Sequence, residues 1–210
     1  MDTGLYIAAS GMLAQQVRQD QLANDLSNAS TPGYKTDASV QSDFGSMLLA
    51  NTATGQPIGQ INTGVQLGTP VTNTTPQSLH STGQPLDFGI AGTGFFAVRT
   101  SQGVRYTRDG QFAEDAQGLL VDGQGNDVLS QNGAPIAVSA QGTVPASSLG
   151  VFNVSNPTKQ GELEDSAVDA VNTMVHMITA TQTYQAGENA IQTIDSTMQE
   201  SASSVGSLGG

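Results

Sequence analysis

Residues 174–198 read MVHMITATQTYQAGENAIQTIDSTM. Along this stretch, and on to residue 205, one set of residues recurs at alternating steps of three and four residues and forms a stripe. This is the period of a coiled-coil helix. The stripe consists of Met174, Met177, Thr181, Tyr184, Glu188, Ile191, Asp195, Met198, Ala202 and Val205. A second apolar row widens the face at the N-terminal half: Val168, Val171, Val175 and Ile178. The stripe is too polar for an independent two-stranded zipper, so it predicts a helix with several helical neighbours.

The start of this helix is expected directly after Ser166. Ser166 and Asp169 have the spacing of a capping box, and acidic residues precede them at Glu162, Glu164 and Asp165. Carboxylates suit the positive end of a helix dipole. One helix about 60 Å long is therefore predicted.

The other end of the chain, residues 4–30, has the spacing of a second helix. Asp2 or Thr3 can cap its first turn. Its apolar positions recur at three- and four-residue steps: Leu5, Ala8, Met12, Leu22 and Leu26. Pro32 and Gly33 should end it, because Pro32 disfavours helical backbone at the preceding residue and Gly33 tolerates a left-handed turn. Such a helix is about 40 Å long.

Between the helices, the composition changes twice. Residues 36–85 are rich in Gly, Thr, Asn and Gln and show no strong periodicity, so we expect an extended arm whose residues 50–75 become ordered on assembly. From residue 86 to 160, short apolar runs alternate with glycine-containing turns such as Asp109-Gly110 and Asn132-Gly133. This pattern predicts an antiparallel β domain made of hairpins.

The predicted fold class is α+β. Four segments follow: a helix and turn over residues 1–35, an extended, partly flexible arm over 36–85, a small antiparallel β domain over 86–160, and a coiled-coil helix over 161–210. Two interaction-prone ends favour an assembly subunit, with the ends packing against each other or against further copies.

Composition limits the partners. The chain has 18 acidic and 6 basic residues, and its net charge of −12 argues against nucleic acid and anionic membranes. Cysteine is absent, which excludes disulfides and Cys-ligated zinc. No apolar run is long enough to span a bilayer. The N-terminus lacks a basic region before its apolar residues, so no cleavable secretory signal is predicted, and export would need another route.

No motif indicates catalysis, a cofactor or a metal. His80 and His176 lack acidic or Cys companions at ligand spacing, and Glu164 with Asp165 is interpreted as a solvated helix start. Residues 89–94, GIAGTG, lack the order of a nucleotide-binding loop and are interpreted as strand turns. Residues 122–127, DGQGND, lack the glycine and final carboxylate of a calcium loop, so a hairpin turn is predicted there.

Four blocks of sequence together match the pattern of one protein family. The first is LYIAASGM at residues 5–12, followed by LANDLSNASTPGYK at residues 22–35. LDFGI at residues 86–90 with GFFAV at residues 94–98 resembles the family's β strands. YTRDGQF at residues 106–112 resembles its hairpin, and the helix sequence from residue 166 through Tyr184 to IQT at residues 191–193 resembles its C-terminal pattern. In this order the four blocks resemble the bacterial flagellar rod and hook proteins. Within that family, the β motifs are most similar to those of the distal rod type, or of the proximal rod type that shares them.

Two departures from the family pattern stand out. The β region ends near residue 155 and leads almost directly into the C-terminal helix, so strands expected before that helix are predicted to be missing and the outer β domain shortened. Gln182 replaces an arginine of the family, so an ion pair made by that arginine would be lost or replaced.

The resemblance implies a structural subunit of the flagellar axial rod, which transmits torque from motor to hook. Its terminal helices would pair as an inner domain, and the chain would be exported unfolded by the flagellar type III apparatus into the cell envelope. The implied partners are copies of itself, other rod and hook subunits, the export apparatus, and rod cap and ring proteins. No cofactor is implied.

The resemblance also gives roles to two sets of residues. The helix-packing set within or between subunits is Leu5, Met12, Leu22, Leu26, Met177, Ile178, Tyr184, Ile191 and Met198. The signature turn is formed by Asn24, Asn28, Thr31, Pro32, Gly33 and Tyr34, with the two asparagines expected to hydrogen bond at the helix end.

Three alternatives remain open on the sequence. The first is a proximal rod or hook-type subunit of the same apparatus. The second is a secreted β-rich binding module with a coiled-coil stalk, which the signature turn disfavours. The third is an envelope enzyme that opens peptidoglycan, for which the sequence offers no catalytic acid.

Overall fold

A computed structural model describes residues 2–43, 46–50, 56–62, 64–152 and 158–207. Two long helices, α1 (Asp2–Ser27) and α2 (Ala170–Ser207), stand at the ends of an antiparallel β region, which confirms the predicted α+β class. The chain forms two compact units. Unit 1 contains residues 1–26, 37–71 and 170–210, and unit 2 contains residues 27–36 and 72–169.

The strands are short. In chain order they are β1 (Asp37–Ala38), β2 (Gln41–Asp43), β3 (Ser46–Ala50), β4 (Pro57–Asn62), β5 (Val65–Leu67), β6 (Val71–Thr72), β7 (Leu79–Ser81), β8 (Phe88–Ile90), β9 (Phe95–Thr100), β10 (Gly103–Thr107), β11 (Ala113–Glu114), β12 (Leu120–Val121), β13 (Asp127–Val128), β14 (Val151–Phe152), β15 (Thr158–Gln160) and β16 (Glu162–Glu164). A 3-10 turn covers Ala146–Ser148.

Helix α1 overlaps the predicted residues 4–30 but is shifted by two residues at its start and three at its end. It begins at Asp2 and ends at Ser27, after which the backbone N–H of Thr31 donates to the Asn28 carbonyl at 3.0 Å. Gly33 then takes a φ of 65°, the left-handed backbone that the sequence predicted there.

Helix α2 begins later than predicted. Its first residue is Ala170, four residues beyond Ser166, so Ser166 is not its cap. The hydroxyl of Ser166 instead donates to the Asn28 carbonyl at 2.9 Å, and it accepts from the backbone N–H of Val168 at 3.3 Å. The Ser166 side chain, which the local sequence pattern assigned to helix capping, therefore makes a long-range hydrogen bond instead.

The two helices pack together in unit 1 as an antiparallel pair. A Cβ built on Gly4 lies 3.7 Å from Ile194 Cδ1, and one built on Gly187 lies 2.8 Å from Met12 Cγ. Moving forward along α1 thus means moving backward along α2. At both contacts a glycine faces a larger side chain, which allows the two helix backbones to approach closely.

The expected arm of unit 1 contains regular structure. Strand β2 pairs with β5 and β3 pairs with β4 in a single continuing register, from Gln41 opposite Leu67 to Leu49 opposite Gly59. The result is a two-stranded antiparallel ribbon, because backbone pairing supplies order that the polar side-chain pattern does not reveal. Residues 51–55, also part of the expected arm, lie outside the described residues.

Helix α1 has a second neighbour in this ribbon. The backbone N–H of Val65 donates to Ser10 Oγ at 3.3 Å, and Gln41 Nε2 donates to the Ala14 carbonyl at 3.4 Å. The side chain of Gln21 donates to the backbone carbonyl of Asp37. One face of α1 therefore meets α2 and another meets the ribbon.

Unit 2 is built around a sheet with the order β10-β9-β13-β12-β11, in which β14 also pairs with β9. Hairpins connect neighbouring strands, as the glycine-containing turns predicted. Ten buried side chains form its core: Phe88, Ile90, Phe96, Val98, Phe112, Leu120, Val128, Ile136, Val144 and Leu149. The rings of Phe96 and Phe112 meet edge to face with centroids 5.2 Å apart.

The prediction that strands are missing before α2 is wrong. Strand β15 pairs with β8 and strand β16 pairs with β7, both antiparallel, immediately before the helix. These strands are three residues long, and their partners lie some 70 to 85 residues earlier, so no local hairpin signal reveals them. Residue 155, where the β region was expected to end, lies outside the described residues.

The signature turn and the candidate assembly faces

The signature turn is held first by its own residues. The Thr31 hydroxyl donates to Asn28 Oδ1 at 3.1 Å, and the backbone N–H of Tyr34 donates to the Thr31 carbonyl at 3.3 Å. Pro32 lies between them and restricts the backbone. Asn24 is on the exposed side of α1, one turn before the helix ends.

Gly33 occupies a position in unit 2 that has no room for a side chain. Its backbone N–H donates to the Glu164 carbonyl at 2.8 Å. On its other side, a Cβ would overlap the carbonyl oxygen of Arg108. The glycine of this motif is therefore required both by its positive φ and by the close approach of a second strand of chain.

Glu164 forms ion pairs with two cations beside the signature turn. Its Oε1 accepts from Lys35 Nζ at 2.7 Å and from the backbone N–H of Gln77 at 2.7 Å. Its Oε2 accepts from Arg108 Nη1 at 2.6 Å. The side chains of Glu164 and Arg108 are 1% exposed and that of Lys35 is 6% exposed. Such burial requires that every charged atom be paired, and these contacts supply the pairing.

The interpretation of Glu164 as part of a solvated helix start is wrong. The residue lies in β16, six positions before α2, and it is among the most buried polar residues of the chain. The sequence analysis used Lys35 and Arg108, the two cations that pair with Glu164, only as parts of the motifs that carried the family resemblance. Nothing in the local spacing connects them with Glu164.

Arg108 has further partners in unit 2, in the loop directly before β9 (residues 91–94), which is called here the β9 loop. Its Nη2 donates to the Gly92 carbonyl at 2.5 Å, and its Nε donates to the Gly94 carbonyl. The guanidinium carbon lies 5.4 Å from the centroid of the Phe95 ring, a cation–π distance. The β9 loop therefore orients Arg108 independently of Glu164.

Two more hydrogen bonds join residues 28–34 to residues 166–167 within unit 2. The Asn28 carbonyl accepts from Ser166 Oγ, and the Tyr34 carbonyl accepts from the backbone N–H of Ala167 at 3.0 Å. The predicted turn residues Asn28, Gly33 and Tyr34 are thus all in contact with residues 164–167.

The residues predicted for helix packing divide into two groups. On α1, Met12, Leu22 and Leu26 are partly buried and Leu5 is exposed. On α2, Met177, Tyr184, Ile191 and Met198 are partly buried and spaced by seven residues, whereas Ile178 is 59% exposed. The antiparallel register from the Gly4 and Gly187 contacts places Leu22 opposite Met177.

The other half of the predicted stripe lies on the exposed side. Met174, Thr181, Glu188 and Asp195 are exposed, and the side chain of Val205 lies outside the described part of α2. The positions that complete the buried row are instead one residue earlier: Thr173, Ala180, Gly187 and Ile194. Three of these residues, Thr173, Ala180 and Gly187, are small and permit close backbone contact with α1, and apolarity alone could not distinguish this row.

Apolar side chains remain on the outer sides of both helices. On α2, Met174, Val175 and Ile178 are 50%, 54% and 59% exposed. On α1, Leu13 and Val17 are also exposed, one helical turn apart. These positions define two faces, called here the α2 outer face (Met174, Val175, Ile178) and the α1 outer face (Leu13, Val17). Neither takes part in the seam between the helices, and exposed apolar clusters of this kind mark contact surfaces.

His80 has the acidic companion that the sequence analysis did not find. Its Nδ1 lies 2.7 Å from Asp165 Oδ1, across the β7–β16 pair, and both side chains are half exposed. Since strand pairing creates this contact over 85 residues, sequence spacing could not predict it. No group of three or more His, Cys, Asp or Glu side chains that could hold a metal occurs among the described residues.

The loop at residues 122–127 forms the turn between β12 and β13. Asp122 Oδ1 accepts from the backbone N–H groups of Gln124 at 2.9 Å and Asn126 at 2.8 Å, so the carboxylate closes the turn itself. Nearby, burial raises the pKa of the Asp109 carboxyl, and the charges of Asp122 and Asp87 act in the same direction. The backbone N–H of Gln111 opposes this rise of the Asp109 pKa.

Neither helix offers, over its described residues, a stretch that is apolar enough and long enough to cross a membrane.

Comparison with known proteins gives three family matches along the chain. Residues 5–35 match the family described as "Flagella basal body rod protein". Residues 89–154 match "Flagellar hook protein FlgE/F/G D1 domain", and residues 159–204 match "Flagellar basal body rod FlgEFG protein C-terminal". The first match covers α1 with the signature turn, and the third covers β15, β16 and most of α2.

Individual relatives agree. The flagellar basal-body rod protein FlgG of Bacillus subtilis is 37% identical over 64% of this chain and 53% of its own length. The flagellar hook-basal body complex protein FlhO of the same organism is 28% identical over 98% of this chain and 99% of its own. The flagellar basal-body rod protein FlgF of Caulobacter vibrioides is 32% identical over 66% of this chain and 55% of its own. The chain thus spans about half the length of the FlgG and FlgF relatives and nearly all of FlhO.

Proposed function

The chain belongs to the flagellar basal-body rod and hook family as a structural rod protein, and from that premise we propose that it polymerises helically with copies of itself into the axial shaft that transmits torque from motor to hook. The three family matches together reach from α1 to α2 and support this assignment.

The observation that carries the proposal is the pair of outer faces in unit 1. Each helix uses one face for the other helix, and α1 also contacts the ribbon, yet Val175 and Ile178 on α2 and Leu13 on α1 stay exposed. A copy of the chain that covers these faces buries apolar surface, which drives association at about 25 cal/mol per Å².

The two faces differ in residue content, and this favours an open polymer. A contact between different patches of identical subunits is heterologous, and it generates a helical filament when its rotation does not close. The acidic α2 residues Glu188 and Asp195 lie on the same helix as the apolar outer face, and no Lys or Arg follows position 159. Pairing of Lys or Arg with carboxylates between two α2 helices is therefore absent, and apolar and amide contacts must supply their association.

The position proposed along the rod is distal, with proximal rod or hook-type positions as the alternative. The match to FlgG at 37% identity supports the distal type, while FlgF relatives at 32% identity support the alternative. The residues that make the outer faces are compatible with either position.

The proposed partners are copies of this chain, other rod and hook subunits, the export apparatus, and rod cap and ring proteins. Family membership supports a location in the flagellar basal body. The finer location is the cell envelope outside the cytoplasm, reached without a cleaved signal peptide. We assign the chain no enzymatic activity, and a peptidoglycan hydrolysis assay on purified protein tests the envelope-enzyme alternative.

Polymerisation is tested with full-length protein in which Val175 and Ile178 are both replaced by Asn. The expected result is filaments of the wild-type chain by electron microscopy and sedimentation, and their loss in the double variant while the monomer keeps its thermal stability. Gln185→Asn, at an exposed polar position of the same helix, is the matched control and should polymerise normally. A wild-type chain that forms only a closed, compact oligomer would contradict the proposal.

A further inference from the structure

We propose that Glu164 completes the fold of unit 2 by latching the signature turn onto Arg108, so that unit 2 stays open until the segment around Glu164 is present. When the chain emerges N-terminus first, the signature turn and Arg108 emerge before Glu164. They then form their final contacts only after Glu164 has emerged. The latch is defined here as residues 31–35, Arg108 and residues 158–167.

The first support is the way one carboxylate is shared. Glu164 reaches Lys35 over 129 sequence positions and Arg108 over 56, with both of its oxygens occupied. Its own backbone carbonyl accepts from Gly33. Three distant parts of the chain therefore meet at one residue.

The second support is the charge balance of the site without Glu164. Lys35 and Arg108 would leave two positive charges in a place that is almost fully buried. A buried charge that loses its partner strongly destabilises the folded arrangement. Within the described part of the chain, the other acceptor of Lys35 is the Thr75 carbonyl at 2.7 Å, which is neutral and does not neutralise the lysine.

The third support is the order in which contacts become available. Strand β10 pairs with β9, and β12 pairs with β11 and β13, as hairpins of near neighbours in sequence. The β9 loop orients Arg108 through the Gly92 and Gly94 carbonyls. The partners of β7 and β8 are β16 and β15, which come about 80 and 70 residues later. Local contacts form before contacts of long sequence separation, so the sheet precedes the latch.

The fourth support is that the same late segment makes several closing contacts together. Ser166 donates to the Asn28 carbonyl, and the N–H of Ala167 donates to the Tyr34 carbonyl. Glu164, Ser166 and Ala167 thus engage the signature turn within four residues. This concentration makes the closure cooperative rather than gradual.

The latch explains why the signature turn belongs to unit 2, apart from the helices of unit 1. Its relevance to export rests on the proposed function, together with the unfolded export that the family resemblance implies. The latch itself is a property of a single chain. It can therefore be tested without polymerisation, and its failure would leave the rod assignment intact.

The first experiment compares Glu164→Gln with wild type by hydrogen exchange and mass spectrometry on the full-length chain. We expect exchange to rise on the order of a hundredfold together in residues 31–35, 77–90 and 158–167, with residues 95–130 much less affected. Glu162→Gln is the matched control on the same strand, since Glu162 pairs with the partly exposed Lys159 at 3.2 Å. It should leave exchange within about twofold of wild type.

Faster exchange confined to residues 162–166, or equal acceleration throughout 72–169, would overturn the proposal. If Glu164→Gln fails to fold, Lys35→Gln replaces it, because this variant keeps the Arg108–Glu164 pair and should accelerate the same three segments to a smaller extent. An unchanged exchange pattern in Lys35→Gln would also overturn the latch.

The second experiment follows refolding of the wild-type chain from urea by pulse-labelled exchange. Residues 95–130 should become protected first, and residues 31–35 and 158–167 should follow together in one later phase. Protection of residues 31–35 before residues 158–167 would show that the turn docks without Glu164 and would overturn the proposed order.

Discussion

Gly187 of α2 lies directly against Met12 of α1, so closely that a Cβ at position 187 would be 2.8 Å from Met12 Cγ. With the contact between Gly4 and Ile194, this relationship fixes both the direction and the register of the helix pair. It also shows that close approach, as well as apolar area, determines which face of α2 is buried.

The register predicts which cysteine pair can form a disulfide. The chain has no native cysteine, so Met12→Cys with Gly187→Cys introduces a single possible bond. We expect rapid cross-linking under mild oxidation, because the Cβ atoms come within disulfide range. Met12→Cys with Thr181→Cys, at an exposed α2 position, is the control. Equal cross-linking of both pairs on non-reducing gels would refute the register.

The space at Gly187 predicts a difference between neighbouring substitutions. Gly187→Leu should destabilise the helix pair by about 2 kcal/mol, since the added side chain overpacks against Met12. Ala186→Leu places the same side chain at an exposed position and should have an effect within about 0.5 kcal/mol. Urea unfolding followed by far-UV circular dichroism measures both, and similar midpoints for the two variants would contradict the packing.

The signature turn predicts a second glycine contrast. Gly33→Ala should destabilise unit 2 by about 3–5 kcal/mol, because strain at positive φ adds to the overlap with Arg108. Gly83 has a similar φ of 71° but no atom within 4 Å of an added Cβ, so Gly83→Ala should lose only about 1–2 kcal/mol. Equal losses of unfolding free energy would mean that the Arg108 contact is unimportant.

The raised pKa of Asp109 predicts a pH dependence. Burial favours the neutral carboxyl in the folded state, so the folded chain binds the proton more tightly than the unfolded chain does. Stability from this group is therefore present below the unfolded pKa of 3.8 and is lost as pH rises through the higher folded pKa.

Asp109→Asn removes the loss of stability that the ionised carboxylate causes at higher pH. The Asn side chain keeps an oxygen that can accept from the Gln111 N–H. The variant should be more stable than wild type at pH 7, and this advantage should shrink as pH falls towards 3.8. Thermal unfolding at a series of pH values measures the difference between the two proteins. A constant difference at every pH would show that Asp109 does not titrate differently on folding.

Much of the fold was determined by local sequence. The end of α1 at Ser27 lies a few residues before the Pro32-Gly33 pair, where the sequence predicts the helix to stop because backbone restriction acts over a few residues. The hairpins of unit 2 follow from glycine turns between apolar runs, and eight of the ten core side chains, from Phe88 to Ile136, lie in runs that the β pattern identified. The sequence blocks also carried the family assignment.

What the tertiary structure alone decided depends on contacts of long sequence separation. Strands β15 and β16, the His80–Asp165 pair and the start of α2 at Ala170 all depend on partners far along the chain. The ribbon in the expected arm depends on backbone pairing between polar segments. Glu164 is the clearest case, because the acidic residues Glu162 and Asp165 lie beside it in sequence and its position near a helix suggested solvent. Only the folded chain brings Lys35 and Arg108 to it, and buried charges are stable only where such partners meet.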